Sequence, residues 1–270
     1  MPAQPSRIVL VTGAAGGIGG AITRALIAAG HSVAAVDRDA ERLNALAASE
    51  RIHPIRAELA DEAGCREAVA SAVARFGRLE AVINNAGIGM SSIRPDGEVN
   101  LPGIAELTTQ LWDNFFAINV RAPMLITQAA LPHMREAGFG RVINNTTSFR
   151  TMLRVLPYGA TKSALESMSA IWASELEDEG ITVNVLIPGG PTDTPFIHDG
   201  AGWDRAKMLR PEIMGPPAVW LVSDESAGYT GHRIIAANWD GALSGSANSI
   251  KAGRAIGWPE LGADAVWLTS

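Results

Sequence analysis

A tyrosine and a lysine four residues apart are the first candidates for chemistry: Tyr158 and Lys162, in the segment Tyr-Gly-Ala-Thr-Lys. On a helix, two residues at this spacing share one face. A free phenol has a pKa of about 10, and a neighbouring cation favours the phenolate and lowers that pKa. Such a pair can exchange a proton with an alcohol or a carbonyl group. An isolated match arises more often by chance on an amphipathic helix, so the surrounding motifs decide its significance.

A glycine-rich turn, Thr12-Gly-Ala-Ala-Gly-Gly-Ile-Gly19, follows the first apolar segment and precedes a helical pattern. Gly13 allows a tight turn, Gly17 allows a pyrophosphate to approach the backbone, and Gly19 allows close packing of helix on sheet. The N-terminus of the helix would present unpaired N–H groups and the positive end of its dipole to phosphate. This strand–turn–helix context favours dinucleotide binding over an ordinary loop.

Asp37 ends the second apolar segment, and its carboxylate bears on the choice of cofactor. A carboxylate there can accept hydrogen bonds from the ribose hydroxyls and would repel a 2′-phosphate, which favours NAD over NADP. Arg38 is the counter-evidence, because its guanidinium could bind that phosphate if Asp37 turned away. As an alternative, Asp37 is only a solvated turn residue or the cap of the next helix.

Composition limits the class of protein. The chain has 270 residues, of which 47% are hydrophobic, so it can bury a substantial core and is not a disordered chain. Its net charge of −6 argues against a nucleic-acid or anionic membrane surface. Cys65 is the single cysteine, the histidines lack metal-ligand spacing, and we find neither a signal peptide nor a membrane-length apolar run. We expect a cytoplasmic protein with no metal, membrane or nucleic-acid partner.

Strand-like and helical segments alternate along most of the chain. Strands are predicted at 7–12, 32–36, 53–57, 79–83, 140–145, 182–187 and 232–236, and helices at about 17–29, 40–49, 61–76, 108–134, 158–178 and 217–223. Strict alternation predicts an α/β fold: a single doubly wound Rossmann domain over residues 1–270, with a parallel sheet of about seven strands and helices on both faces. Ligands are expected at the carboxyl ends of the strands.

Two stretches break this alternation, and a tail follows the last strand. The first stretch, 89–107, is a polar insertion with turn chemistry at Pro95-Asp-Gly97 and Leu101-Pro-Gly103. The segment 194–217 is rich in Gly, Pro and Met, and a loop of this length in a compact domain is often a lid. The tail, about 237–270, carries Trp239, Trp258 and Trp267. We expect this tail to pack on the core or on a neighbouring subunit.

Taken together, the motifs resemble those of the short-chain dehydrogenase/reductase family. Asn84-Asn-Ala-Gly87 resembles the motif after that family's fourth strand, and Asn119-Val120 resembles the site of its structural asparagine. Tyr158 and Lys162 match the catalytic pair, and Asn184-Val-Leu-Ile-Pro-Gly189 matches the strand and turn that face the nicotinamide. The resemblance covers about residues 7–235, with six motifs in the family's order.

The resemblance implies a role for each matching residue. Tyr158 would be the acid/base, Lys162 would lower the pKa of Tyr158 and bind the nicotinamide ribose, and Asn119 would hold a water that links Lys162 to solvent. Further cofactor contacts would come from the glycine turn, from the position that touches adenine and from the strand ends. These residues are Gly13, Gly17, Ile18, Gly19, Asp37, Glu58, Leu59, Asn85, Ala86, Gly87, Pro188, Gly189 and Thr194.

Two departures from the family pattern leave alternatives open. The run Gly140-Arg-Val-Ile-Asn-Asn-Thr-Thr-Ser148 places Thr147 at the position of the family's catalytic serine, with Ser148 next. Either hydroxyl could donate to a substrate carbonyl oxygen. The turn after Pro188 has one residue more than usual, so Thr194 aligns with the family's threonine but Thr192 is close.

The combined motifs predict an NAD(H)-dependent oxidoreductase that transfers a hydride between nicotinamide and a secondary alcohol or ketone. An NADP-dependent ketone or 3-oxoacyl reductase of the same fold is the first alternative. A non-catalytic dinucleotide-binding sensor is the second, although such a module needs no proton relay. The resemblance also implies a homodimer or homotetramer. Substrate identity does not follow from these residues.

Overall fold

A single eight-stranded sheet organises the computed structural model, which describes residues 5–46 and 49–262, with side chains described as far as residue 260. The expectation for Trp267 lies outside these residues. The strands are β1 (Ile8–Thr12), β2 (Ser32–Asp37), β3 (Ile52–Arg56), β4 (Ala81–Asn84), β5 (Gly140–Asn145), β6 (Ile181–Ile187), β7 (His232–Ile235) and β8 (Gly253–Ala255).

Ten α-helices lie in the described part of the chain, most of them between successive strands. They are α1 (Gly17–Ala28), α2 (Ala40–Leu46), α3 (Glu62–Phe76), α4 (Thr109–Phe116), α5 (Ala122–Ala137), α6 (Phe149–Met152), α7 (Tyr158–Glu175), α8 (Gly215–Val222), α9 (Gly245–Ala252) and α10 (Pro259–Gly262). None of the described helices is long and apolar enough to cross a membrane.

The strand order is β3-β2-β1-β4-β5-β6-β7-β8, and every pair is parallel except β7 with β8. This topology confirms the predicted doubly wound α/β fold. The expected count of about seven strands misses β8, a three-residue segment of the tail that pairs antiparallel with β7. Because three residues are too few to show an apolar period, no sequence pattern indicated this strand.

The sheet is buried on both faces, which explains why its strands read as continuous apolar runs. Successive residues of β1 point to opposite sides: Leu10 lies in one core with residues of α3, α5 and α7, whereas Val9 and Val11 lie in the other with residues of α1 and α8. These three β1 side chains are completely inaccessible to solvent. The two cores fix the sheet between its helices and so hold the strand ends in place.

The helix predicted over 108–134 is interrupted in the structure. It consists of α4, a π-helical turn at Ala117–Arg121 and α5. Asn119 lies within the π turn, where its side chain bonds to the backbone of Ile88. Because these tertiary bonds form outside the helix, the helical period of the sequence could not indicate the turn.

The described part of the C-terminal tail packs on the same molecule. The ring of Trp239 lies 5.8 Å from that of Trp220 on α8, and the ring of Trp258 lies 6.0 Å from that of Phe149 on α6. β8 then extends the sheet beyond β7. These contacts place α9 and β8 beside the last two parallel strands.

Candidate active site

The glycine turn joins β1 to α1 at the carboxyl edge of the sheet. Gly13 has a φ of +64°, which disfavours any side chain, and a Cβ on Gly19 would overlap the carbonyl oxygen of Gly13. Gly16, the N-cap of α1, provides no side-chain cap. The first N–H groups of α1 are therefore available to an anion, and the turn fits the pyrophosphate of a dinucleotide.

Asp37 lies at the end of β2 against this turn. Its carboxylate accepts hydrogen bonds from the amide of Ala15 at 3.0 Å and from the amide of Asp39 at 3.1 Å. A neighbouring cavity of about 240 Å³ is lined by Arg38, Arg56, Ala57 and Glu58. Sequence reasoning singled out Arg38 and Glu58 but missed Arg56, which the parallel pairing of β2 with β3 places directly beside Asp37.

Asn85 positions the glycine turn through its side chain. Its Nδ2 atom donates to the carbonyl oxygens of Thr12 and Gly13, while the hydroxyl of Thr12 accepts from the amides of Asn85 and Ala86. The end of β4 is therefore tied to the end of β1. Both its backbone amide and its side-chain amide group are engaged in these bonds, and the cofactor contact that the family resemblance implied for Asn85 stays a prediction.

Asn119 connects the end of β4 to the helix that carries Tyr158. Its Oδ1 accepts from the amide of Ile88 at 2.9 Å, and its Nδ2 donates to the carbonyl oxygen of Ile88 and to the hydroxyl of Thr161. Thr161 in turn donates to the carbonyl oxygen of Tyr158 at 2.7 Å. This network positions the first turn of α7. The water expected at Asn119 stays a prediction.

Tyr158 begins α7 and is half-buried at the edge of the sheet. Burial raises the pKa of its phenol most, and the negative charge of Glu98 raises it further, whereas a hydrogen bond with the Thr147 side chain lowers it. Phe196 lies against the phenol, with ring centroids 5.8 Å apart. Neither Glu98 nor Phe196 was singled out from the sequence, because each lies in a loop far from Tyr158 along the chain.

Lys162 lies one turn further along α7, as its spacing predicted. Its Nζ atom is 5.7 Å from the centre of the Tyr158 ring and donates to the carbonyl oxygen of Asn145 at 2.7 Å. Burial lowers the pKa of this ammonium to about 8. The lowering of the pKa of Tyr158 that the resemblance implies for Lys162 stays a prediction.

The two hydroxyls after β5 have different partners. The Thr147 side chain lies close enough to Tyr158 for hydrogen bonding to lower the pKa of the phenol. Ser148 instead caps α6, where its Oγ accepts from the amide of Thr151 at 3.2 Å and lies 2.8 Å from the hydroxyl of Thr151. Of the two hydroxyls that the sequence left open, Thr147 is the one that acts on the Tyr158 phenol, and the role of either toward a substrate stays a prediction.

A buried ion pair holds the end of β5. Glu166 on α7 lies 3.2 Å from Nε of Arg233 on β7, and their side chains are 1% and 12% exposed. Arg233 also donates to the carbonyl oxygen of Thr147 at 2.6 Å, and the hydroxyl of Thr146 donates to Glu166 at 2.8 Å. The backbone around Thr147 is therefore anchored to the helix that carries Tyr158.

The variant Glu166→Leu is expected to lower the free energy of unfolding by about 3 kcal/mol, because it leaves the charge of Arg233 buried without its partner. The double variant Glu166→Leu/Arg233→Leu should recover much of this loss. Urea unfolding measures the stability of the single and the double variant. Glu62→Leu is the control: because the Glu62–Arg66 ion pair is exposed, its loss should change the free energy of unfolding by less than about 1 kcal/mol. Equal losses for Glu62→Leu and Glu166→Leu would contradict a structural role for the buried pair.

The turn after β6 brings the remaining expected residues toward the glycine turn. Gly189 has a φ of +99° and leaves no room for a side chain beside Ile235. Thr194 is buried and lies so close to Gly17 that a Cβ on that glycine would overlap it. Thr192 donates to the carbonyl oxygen of Gly190 instead. The structure thus places Thr194, rather than Thr192, at the glycine turn.

Not every expected cofactor residue presents its side chain to this site. Leu59 is buried in the core formed with α3 and α5, so only its backbone could touch a cofactor. Gly87 lies beside Lys162 and Asn119, where a Cβ would be 3.6 Å from Nζ and 3.0 Å from Oδ1. Cys65 is buried, and burial raises the pKa of its thiol to about 11, which makes it unreactive.

The fold and this arrangement agree with comparisons to known proteins. A family profile described as short chain dehydrogenase matches residues 7–202. D-threitol dehydrogenase of Mycolicibacterium smegmatis is 32% identical over 246 residues, which cover 85% of this chain and 90% of that protein. L-fucose dehydrogenase of Oryctolagus cuniculus is 30% identical and covers 82% and 80% of the two chains.

A solved structure is similar over most of its length as well. The blue fluorescent protein from a metagenomic library, in complex with NADPH, is 30% identical with a TM-score of 0.71, and the match covers 83% of this chain and 93% of that one. The chain belongs to the short-chain dehydrogenase/reductase family. It is therefore an oxidoreductase of a family that binds NAD or NADP and acts on CH–OH groups of small molecules.

Proposed function

We propose that this protein oxidises a secondary alcohol, or reduces the corresponding ketone, with NAD(H), and that Tyr158 is the acid/base. The observation that carries this proposal is the position of the phenol, which lies near the Thr147 side chain and the Lys162 ammonium at the edge of the sheet that bears the glycine turn. The nicotinamide, when bound, supplies the carbon that accepts or donates the hydride.

The residues of this chain transfer the proton and position the substrate. Tyr158 removes the hydroxyl proton of the alcohol, and Thr147 donates a hydrogen bond to the oxygen as it becomes a carbonyl. Lys162 holds a positive charge near the phenol, since a pKa of about 8 leaves most of the ammonium protonated at neutral pH. Asn119 bonds to Ile88, which follows β4, and to Thr161 on α7, and so holds the start of α7 beside the end of β4.

A screen of secondary alcohols tests this function: the absorbance of NADH reports the reduction of NAD by each alcohol. Polyols and sugars are the first substrates to try, because the relatives include a D-threitol dehydrogenase and an L-fucose dehydrogenase. Binding of NAD without turnover on any alcohol or ketone would instead favour a non-catalytic dinucleotide-binding sensor.

Preference for NAD over NADP is supported by Asp37, whose carboxylate lies against the glycine turn. Arg38 and Arg56, which line the neighbouring cavity, favour the alternative of an NADP-dependent ketone or 3-oxoacyl reductase. We give more weight to Asp37, because both of its oxygens are held in place by backbone amides whereas both arginines are exposed.

The variant Asp37→Ser is therefore expected to raise kcat/KM for NADP relative to NAD by about tenfold or more. Two like charges at about 4 Å repel by about 1 kcal/mol in water and by about 4 kcal/mol near a protein surface, and about 1.4 kcal/mol corresponds to tenfold. Titration calorimetry with both cofactors measures the same change in binding. Asp39→Ser is the matched control, and a wild-type protein that already prefers NADP would contradict the proposal.

We also propose a cytoplasmic homodimer or homotetramer that forms through the helices around Asn119 and Tyr158. Exposed apolar side chains lie there on α4, α5 and α7: Trp112, Met124 and Ile171. Such side chains are typical of the core of a protein–protein interface. Light scattering measures the number of subunits, and a monomer at micromolar concentration would contradict this assembly.

A further inference from the structure

The ring of Phe196 lies beside the Tyr158 phenol, on the loop that follows β6. The two ring centroids are 5.8 Å apart and the ring planes are inclined by 57°, so the rings are in contact. Two residues earlier on the same loop, Thr194 lies against Gly17 of the glycine turn. Phe196 is therefore adjacent to the space that a substrate would occupy between the phenol and a bound cofactor.

The surroundings of this ring hold it in place. A Cβ on Gly89 would overlap the Cζ end of the Phe196 ring, so the ring packs directly on the backbone of that glycine. The hydroxyl of Ser91 donates to the carbonyl oxygen of Phe196 at 2.7 Å. The guanidinium of Arg205 donates to the carbonyl oxygen of Ile197, the next residue, at 2.8 Å. Because closely packed protein has a low compressibility, the ring is a fixed wall.

Part of this wall is accessible to a ligand. The Phe196 side chain is 39% exposed, so a substrate can touch the ring where neither Gly89 nor Tyr158 covers it. An aromatic ring without a polar group contributes apolar contact and shape rather than a hydrogen bond. A residue of this kind beside the phenol selects substrates by the size of their substituents.

We propose, building on the proposed function, that Phe196 is a specificity-determining residue whose ring limits one substituent of the reacting carbon to the size of a methyl or hydroxymethyl group. The substrate oxygen bonds to Tyr158, the short substituent packs on the exposed part of the Phe196 ring, and the longer substituent extends away from it. A longer chain on the short side would overlap a ring that Gly89 keeps from moving back. The wall favours open-chain alcohols that react at the carbon next to their end over cyclic sugars.

Two heptanols test this wall, because they have the same formula and differ in the shorter substituent. Heptan-2-ol carries a methyl group on its reacting carbon, whereas heptan-4-ol carries two propyl groups. Wild-type protein with NAD should show a kcat/KM at least about tenfold higher for heptan-2-ol, the usual effect of methylenes that a pocket cannot hold. Phe196→Ala should remove most of this preference by raising kcat/KM for heptan-4-ol about tenfold. Equal kcat/KM of the wild type for the two alcohols, or no gain on heptan-4-ol in Phe196→Ala, would overturn the proposal.

Phe149→Ala is the matched control. Phe149 is also 39% exposed, but its ring packs against Trp258 of the C-terminal tail, with centroids 6.0 Å apart. The ratio of kcat/KM for the two heptanols should therefore not change. Because a misfolded variant only loses activity, the gain expected of Phe196→Ala does not arise from damage to the fold. An equal gain on heptan-4-ol in Phe149→Ala would overturn the assignment of the wall to Phe196.

The variant Gly89→Ala tests the wall from its other side. The φ of Gly89 is −122°, which any residue adopts, so alanine fits the backbone and its methyl group must displace the Phe196 ring. Displacement of the ring into the pocket should lower kcat/KM for heptan-2-ol about tenfold. In the Phe196→Ala background the same change should have little effect, because the ring is absent. Equal losses in the two backgrounds would mean that the ring does not line the pocket, and would overturn the proposal.

Failure of the proposed function has a different result. Wild-type protein would then oxidise neither heptanol and reduce neither of the corresponding ketones. Binding of both alcohols to the protein with NAD, measured by saturation-transfer NMR, would still test the wall. The wild type should bind heptan-2-ol more tightly than heptan-4-ol, and Phe196→Ala should lower Kd for heptan-4-ol. An unchanged Kd for heptan-4-ol in Phe196→Ala would overturn the role of Phe196.

Discussion

Replacing Tyr158 by phenylalanine is expected to lower kcat for alcohol oxidation by about 10²–10⁴-fold. General acid–base catalysis contributes a factor of this size, and the variant removes only the hydroxyl that exchanges the proton. KM for the cofactor should change little, because the ring and its packing against Phe196 are retained. Steady-state kinetics on a competent alcohol, with NAD saturating, measures the effect.

Tyr229→Phe is the matched control, since Tyr158 and Tyr229 are the two tyrosines of the chain. The hydroxyl of Tyr229 donates a long hydrogen bond of 3.3 Å to the carbonyl oxygen of Ser249, and its ring packs against Trp220 in the core. Its removal should leave kcat within about twofold. If Tyr158→Phe kept most of its turnover with an unchanged circular dichroism spectrum, the acid/base role would have to be withdrawn.

Replacing Thr147 by valine is expected to lower kcat by about 10²–10³-fold, the usual effect of removing one donor that stabilises the reacting oxygen. The same change removes the hydrogen bond that lowers the pKa of Tyr158. The pKa of the phenol should therefore rise, and the acidic limb of the pH profile of alcohol oxidation should move to higher pH. Thr147→Ser should restore both kcat and the profile, because it returns the hydroxyl.

Ser148→Ala distinguishes the neighbouring hydroxyl from Thr147. Because Ser148 caps α6, its loss should cost about 1 kcal/mol of stability in urea unfolding. Its kcat should stay within a few-fold of wild type. The reverse pattern, with kcat lost in Ser148→Ala and kept in Thr147→Val, would transfer the catalytic role to Ser148.

The fold followed from the sequence because its signals are local. Each strand is a short apolar run, each main helix has its own period, and the alternation of the two leaves only a few parallel-sheet topologies. The exceptions have a tertiary origin. The π turn around Asn119 depends on bonds to Ile88, and β8 depends on pairing with β7, so neither left a periodic signal nearby.

The sequence by itself determined the parts of the site that lie within a few residues of one another. The glycine turn depends on backbone conformations that only glycine adopts readily, and the spacing of Tyr158 and Lys162 is set by one helix. The tertiary structure decided which residues from other parts of the chain lie beside these local motifs. It placed the Thr147 side chain near the phenol, used Ser148 to cap α6 and put Arg56 beside Asp37. These choices join residues far apart in the chain, and only the packed sheet and its loops fix the distances between them.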